Sequence, residues 1–346
     1  MTAAQSLLWP FSLAYGAAAR LRAVAYRRGI LRQRRLPGIV ISVGNLTTGG
    51  TGKTPMVLWI AHRLAAQGAK CAILTRGYRG SARGGANGAT AERESDEVRL
   101  LRARLGDAVA IGVGASRYAR GAGLAASGVN YFVLDDGFQH LALARDANIL
   151  LLDATNPFGG GHLLPAGRMR EPLAALARSG IVVITRTEQA APSIEMVVRR
   201  YTDAPIFYAC ARLDSVRSFS GRGYPGDEDA GAGTRKYLAF CGIGNPNAFF
   251  ADAQLWGLHL AATLHFPDHH RYTQRDAARI EAAARDAGAD ALLCTEKDIF
   301  NLGEVRWREF DLSYCRISLR PEREEELWRA ILAQAAAAGR TPGALA

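Results

Sequence analysis

No Asp or Glu precedes Glu92 in this chain of 346 residues, although arginine recurs from Arg20 onward. The net charge of +11 is therefore unevenly spread, and such a balance predicts an anionic partner: nucleic acid, acidic lipid or a phosphorylated substrate. Cysteine is sparse. Cys71, Cys210, Cys241, Cys294 and Cys315 stand far apart with no C-x-x-C pair, which argues against a disulfide frame or a zinc site and for buried thiols in a reducing compartment. Long apolar runs are missing too. Residues 7–19 are apolar but broken by Pro10 and Gly16, too short to span a bilayer, and without the basic lead-in of a secretory signal. No internal repeat is visible.

What is present is 49% hydrophobic residues, enough for a sizeable core in two domains. The chain is organised around Thr47-Thr48-Gly49-Gly50-Thr51-Gly52-Lys53-Thr54-Pro55, set between an apolar strand-like run (residues 39–43) and a helix-like one (56–64). Strand, glycine loop, Gly-Lys-Thr and helix form the layout of a phosphate cradle, in which backbone N–H groups and a helix N-terminus surround phosphate oxygens. Thr47, Gly49, Gly50, Thr51, Gly52, Lys53 and Thr54 are the candidate nucleotide ligands. Lys53 would reach the β- and γ-phosphates, and the Thr54 hydroxyl would hold Mg²⁺. Thr47 departs from the usual spacing, which has glycine there.

Ahead of the loop, Arg20, Arg22, Arg27, Arg28, Arg32, Arg34 and Arg35 are interleaved with apolar residues and follow Trp9, Phe11 and Tyr15. An apolar segment beside an arginine cluster suits an in-plane anchor on an anionic membrane, each Arg contributing on the order of 1 kcal/mol near the surface. A surface helix packed on its own domain is the plainer alternative. No nucleic-acid recognition motif accompanies the arginines, and nothing calls for an obligate protein partner.

Apolar runs at 70–74, 109–111, 130–134, 147–152 and 180–185, alternating with helical stretches, predict an α/β fold with a mostly parallel sheet covered on both faces. Chemistry-bearing residues cluster at the ends of these runs. Arg76 and Arg79 follow the first and could meet phosphate or simply be solvated. Asp135-Asp136-Gly137-Phe138-Gln139-His140 follows the third, where a phosphate-loop enzyme places the carboxylate that organises Mg²⁺. Ser95-Asp96-Glu97 opens a helix to Leu105, for which capping by Ser95 and first-turn acids is a complete structural account. Beyond a glycine-rich hairpin or linker at 218–234, a smaller α/β unit repeats the alternation. Its strand at 258–264 ends in Asp268-His269-His270, a turn, a metal site or the seat of a catalytic His. The expected boundaries are a membrane-associating segment at 1–37, a phosphate-loop domain at 38–217, a linker at 218–235, a smaller α/β domain at 236–320 and a C-terminal helix at 321–346 able to pack back on the first domain.

Taken in order, Gly44-Asn45-Leu46-Thr47-Thr48-Gly49-Gly50-Thr51-Gly52-Lys53-Thr54-Pro55, Thr75-Arg76-Gly77-Tyr78, Asp96-Glu97, the Asp135–His140 run, Arg170-Glu171-Pro172, Asp268-His269-His270 and Thr295-Glu296-Lys297-Asp298 resemble one family, the tetraacyldisaccharide 4'-kinases (lipid A 4'-kinases) of Gram-negative bacteria. The chain departs from that pattern at flanking positions, with Ser95, Val98 and Arg168-Met169. The resemblance implies transfer of the ATP γ-phosphate to the 4'-hydroxyl of a tetraacylated glucosamine disaccharide 1-phosphate in lipid A synthesis, by a peripheral enzyme on the cytoplasmic face of the inner membrane. It implies that Lys53 and Thr54 serve ATP and Mg²⁺. Asp135 and Asp136 serve the metal with Glu171 nearby. Asp96 is the base tuned by His269, and Arg76, His140 and Arg170 lie around the phosphates or substrate. The main rival is a membrane-surface switch ATPase of the MinD or ParA sort, whose loop carries Lys where Thr48 stands here. A GTPase is disfavoured because no Asn-Lys-x-Asp motif occurs.

Overall fold

The structure is a computed structural model that describes residues 3–77, 94–219 and 235–339. The loop residues Tyr78 and Arg79 and most of the expected linker lie outside the described residues. The chain groups into two compact units. One comprises Met1–Gly77, Leu105–Cys210 and Leu319–Ala346, the other Tyr78–Arg104 and Ala211–Ser318.

In the first unit the chain runs α1 (Ala3–Arg27), β1 (Ile39–Asn45), α2 (Lys53–Ala66) and β2 (Cys71–Thr75). After α3 (Asp96–Leu105), which belongs almost wholly to the second unit, come β3 (Ala110–Val113), α4 (Arg117–Ala126), β4 (Tyr131–Leu134), β5 (Ala147–Asp153), β6 (Ile181–Thr185) and α5 (Pro192–Arg199). These strands pair in parallel in the order β3-β2-β4-β1-β5-β6, followed by β7 (Ile206–Ser218). Each of β1, β2, β4, β5 and β6 is buried along its whole length, which explains their continuous apolar runs. The chain leaves this unit within β7. In the second unit β8 (Lys236–Cys241), α6 (Pro246–Leu255), β9 (His259–His265), α7 (Gln274–Asp286), β10 (Ala291–Thr295), α8 (Glu296–Ile299) and β11 (Leu312–Pro321) succeed one another, with parallel order β9-β8-β10-β11. The last helix, α9 (Glu324–Ala337), packs on β1 and β5 of the first unit, where Gln334 Oε1 accepts from Asn148 N–H.

The α/β class and parallel pairing are as the sequence predicts. Three details differ. Pro10 and Gly16 do not interrupt the N-terminal segment: α1 runs through both. It is a surface helix, so the carbonyl that a proline leaves unbonded can be met by water. β7 is longer than its buried apolar start, Ile206–Ala209, indicates, because Arg212, Asp214 and Arg217 alternate with Leu213 and Val216 in a half-buried continuation whose polar members hide it. Helix α5, buried at Ile194 and Val198, is not visible as a separate element in the sequence.

Two glycines shape the edge of the sheet that carries the glycine loop. A Cβ at Gly44, near the end of β1, would lie 2.6 Å from Phe138 N, so only glycine lets the 136–140 loop lie against that strand. Gly52 takes the left-handed conformation (φ 81°) that starts α2. Cys71, Cys241, Cys294 and Cys315 are buried free thiols, and burial pushes the Cys71 thiol up to about 11 and that of Cys315 to about 12.

Candidate active site

The glycine loop is shaped by residues distant in sequence. Asn45 Nδ2 donates to Thr51 Oγ1 (2.8 Å), and Thr185 Oγ1 donates to Thr51 O (3.2 Å). Thr47 forms an antiparallel bridge with Met169. Thr48 N–H donates to Arg168 O (2.8 Å) and Arg170 N–H to Leu46 O (2.7 Å). The 168–170 segment is thus bridged to the loop by its main chain, and the Arg170 guanidinium that it carries meets Asp136. Lys53 and Thr54 occupy the first two positions of α2, where the helix dipole is positive.

Beyond β4 the chain turns sharply. Asp136 takes a left-handed φ of 48°, which a non-glycine residue seldom adopts. Gly137 N–H donates to Val43 O (2.8 Å) and Gln139 Nε2 to Asn45 O (2.9 Å), pinning this turn to the end of β1. Arg145 staples its far side by donating to the carbonyls of Gly137, Phe138 and His140. The result brings Asp136 to Lys53 (3.8 Å) and to Arg170 (2.7 Å). Burial opposes the Asp136 charge, but Lys53, Arg170 and Arg117 outweigh it and hold the carboxyl below its usual range. The buried Asp135 carboxylate accepts from Thr75 Oγ1 (3.1 Å), and its carbonyl accepts from the buried Arg117 (2.8 Å). In the sequence Arg117 looks like an ordinary first-turn helix residue and gives no signal of this.

His140 is pushed down to about 4, first by burial and then by Arg117, Arg145, Arg22 and the exposed Arg76, so its imidazole is neutral at pH 7. Glu171 is buried and paired with Arg178 (2.8 Å). Among the described residues no three His, Cys, Asp or Glu gather as a metal cage. The donor set of Thr54, Asp135 and Asp136 offers hard oxygens, which fits Mg²⁺, an ion commonly held by one or two carboxylates with phosphates and water supplying the rest.

A second constellation lies wholly within the other unit. Asp96 opens α3 and is only 5% exposed. His269, in a left-handed turn (φ 59°), directs Nδ1 to Asp96 Oδ2 at 3.0 Å. Asn301 Nδ2 donates to the same oxygen (3.1 Å), Lys297 Nζ lies 3.7 Å from it, and Glu97 N–H donates to Oδ1 (3.0 Å). Burial would raise the Asp96 carboxyl, but His269, Lys297 and Asn301 prevail and bring it down to about 2; the same hydrogen bond raises His269. The adjacent His270 does different work: it meets Asp276 (3.1 Å) and stacks on Phe266. The acid at the helix start therefore does more than cap it, and one imidazole of the Asp268-His269-His270 run pairs with it.

The family model of LpxK, Tetraacyldisaccharide-1-P 4'-kinase, matches residues 4–336. The chain belongs to this family. A Tetraacyldisaccharide 4'-kinase of Geobacter metallireducens is 43% identical over 313 residues, 87% of this chain and 89% of the relative. Another, from an Anaeromyxobacter species (strain Fw109-5), is 40% identical over 340 residues, 92% and 89% of the two chains. The crystal structure of LpxK from Aquifex aeolicus in complex with ATP is 29% identical with a TM-score of 0.70, covering 95% of this chain and 99% of that one. Membership makes the chain an α/β phosphate-loop kinase and disfavours the switch-ATPase reading.

Proposed function

We propose that the chain transfers the γ-phosphate of ATP to the 4'-hydroxyl of tetraacyldisaccharide 1-phosphate at an anionic membrane surface. The observation that carries this reading is the Asp96–His269 pair. A buried carboxylate oriented by an imidazole is what a kinase needs at its acceptor hydroxyl, and a switch ATPase would leave it idle. Names borne by the relatives support the substrate.

Phosphoryl transfer asks the protein mainly for position and charge. Lys53 and the N-terminus of α2 bind the β- and γ-phosphates, with the loop's backbone N–H groups enclosing them. Thr54, Asp135 and Asp136 would hold Mg²⁺, which when bound neutralises phosphate charge. Arg170, anchored by Asp136, adds a cation beside the loop. At the acceptor, Asp96 takes the hydroxyl proton as the new P–O bond forms and the bond from γ-phosphorus to the bridging oxygen breaks, releasing ADP. His269 holds the carboxylate's orientation and stabilises its charge. The neutral His140, ringed by Arg22, Arg76 and Arg117, offers hydrogen bonds near cations that attract a phosphorylated acceptor. Glu171 supports this side through Arg178.

With labelled ATP, Mg²⁺ and the lipid acceptor in mixed micelles, label should pass to lipid, and chelating the metal should abolish transfer. ATP hydrolysis at full rate without lipid, leaving the lipid unlabelled, would sink the reading.

α1 is the membrane element in this proposal. No helix among the described residues is long and apolar enough to cross a membrane. Instead Leu7, Trp9, Phe11, Leu13 and Leu21 stand exposed beside Arg20, Arg27 and Arg28. The helix is tied down by Ser12, which donates to Leu163 O and accepts from Ala166 N–H (both 3.0 Å), and by Tyr15, which donates to Arg170 O (2.9 Å). The protein should float with anionic liposomes and release as salt rises. Unchanged flotation after deletion of residues 1–36 would remove this part.

A further inference from the structure

The Thr295-Glu296-Lys297-Asp298 motif has no role in the phosphoryl-transfer chemistry, yet Lys297 reaches Asp96 directly and Asp298 is joined to the His269 backbone through Gly242. α8 starts with a reciprocal cap in which Thr295 Oγ1 accepts from Asp298 N–H and the Asp298 carboxylate accepts from Thr295 N–H. Asp298, 1% exposed, also accepts from Gly242 N–H and from Tyr272 Oη (both 2.8 Å). Gly242 O in turn accepts from His269 N–H (3.0 Å). From the same turn Lys297 Nζ approaches Asp96 Oδ2 (3.7 Å) and Glu97 Oε1 (3.3 Å), and Asn301 donates to Asp96.

We propose that this turn is the positioning element of the acceptor site: Lys297 and Asn301 hold the Asp96 carboxylate, while Asp298, through Gly242, holds the backbone of His269. The proposal rests on the reading of Asp96 as the base. Lys297 and Asn301 act through Asp96 and are positioning residues. The geometry gives Lys297 a charge role that packing alone would not require, since its ammonium meets the carboxylates of both Asp96 and Glu97. Among the described residues, the ionisable groups facing Asp96 are His269, Lys297 and Glu97, with Asp268 3.8 Å beyond His269 Nε2.

The test uses the full chain and two readouts. In the first, ¹³C-carboxylate NMR follows Asp96, assigned by the loss of its signal in Asp96→Asn. Lys297→Met should move its titration midpoint up by about one to three pH units, the usual effect of removing an adjacent opposite charge, and Lys297→Arg should restore most of it. In the second, lipid phosphorylation by Lys297→Met and by Asn301→Ala should fall by about 10–100-fold in kcat, with KM for ATP within about twofold, as expected of a misplaced base. Neither change should slow Asp96→Asn further. An unmoved Asp96 midpoint, a loss that multiplies with that of Asp96→Asn, or a rise in KM for ATP in place of lower kcat would overturn the proposal. Absence of lipid phosphorylation in the unaltered protein would instead count against the kinase reading, and the NMR arm would still judge the positioning. Asn301→Ala carries no charge change, so it keeps the test decisive if the Lys297 variant folds poorly.

Discussion

Asp96→Asn is expected to leave a folded, ATP-binding protein whose lipid phosphorylation is about 10²–10⁴-fold slower, the usual range for removing a positioned general base. The amide keeps the shape of the carboxylate: its one oxygen can still accept from Glu97 N–H, and its NH₂, in the place of Oδ2, can donate to Asn301 once that amide turns its oxygen inward, so the acceptor site should survive. What disappears is the group that takes the hydroxyl proton. Steady-state kinetics should show the loss in kcat with KM for ATP little changed, and retention of activity within about tenfold would exclude Asp96 as the base. The substitution also has a stability signature. Folding lowers the Asp96 carboxyl from 3.8 to about 2, so its contribution is complete above the unfolded value and disappears as pH falls through the folded one. Denaturation midpoints should therefore drop for the unaltered protein between roughly pH 4 and pH 2, and drop less over that interval for Asp96→Asn. His269, whose imidazole is raised, contributes with the opposite sign, fully below its unfolded value and less as pH climbs past its folded one.

Lys53→Met is the second large effect. Its ammonium is the cation of the glycine loop itself, 3.8 Å from Asp136 and at the first position of α2. Loss of one preorganised electrostatic contact to a developing charge costs about 10²–10³ in kcat, and here KM for ATP should rise as well because the same group binds the ground-state phosphates. The fold should tolerate the change, since Asp136 retains Arg170 at 2.7 Å. Measurement of nucleotide affinity alongside turnover separates this outcome from that of Asp96→Asn. Wild-type turnover in Lys53→Met would mean that the phosphates lie elsewhere.

The parts of the site that are contiguous in sequence are legible there. The glycine loop announces itself because a buried strand and a helix flank it, and Asp135-Asp136 because a fully apolar strand runs straight into two carboxylates. The α/β class comes from the same buried runs. Local reading gives out where chemistry depends on contacts across the chain. Asp96 is 173 positions from His269, and in the local sequence helix capping is enough to account for it; only the family resemblance joins the two there. Asn301 stands outside every motif, and its amide becomes informative only once its contact with Asp96 is known. Arg117 is obscure for the same reason: a buried arginine whose partner is a main-chain carbonyl leaves no pattern in composition or spacing. Lys297 does carry a signal, since its motif stands out, but nothing in four residues says which carboxylate a lysine will meet.

The bridge between Thr47 and Met169, with its flanking main-chain hydrogen bonds, has a practical corollary. A nucleotide-binding module excised from this chain as one continuous stretch ending after β4 would possess every glycine of the motif and still want the scaffold that gives them their curve. Grafting the motif into another protein would meet the same deficit unless the short return through Arg168 and Arg170 travelled with it.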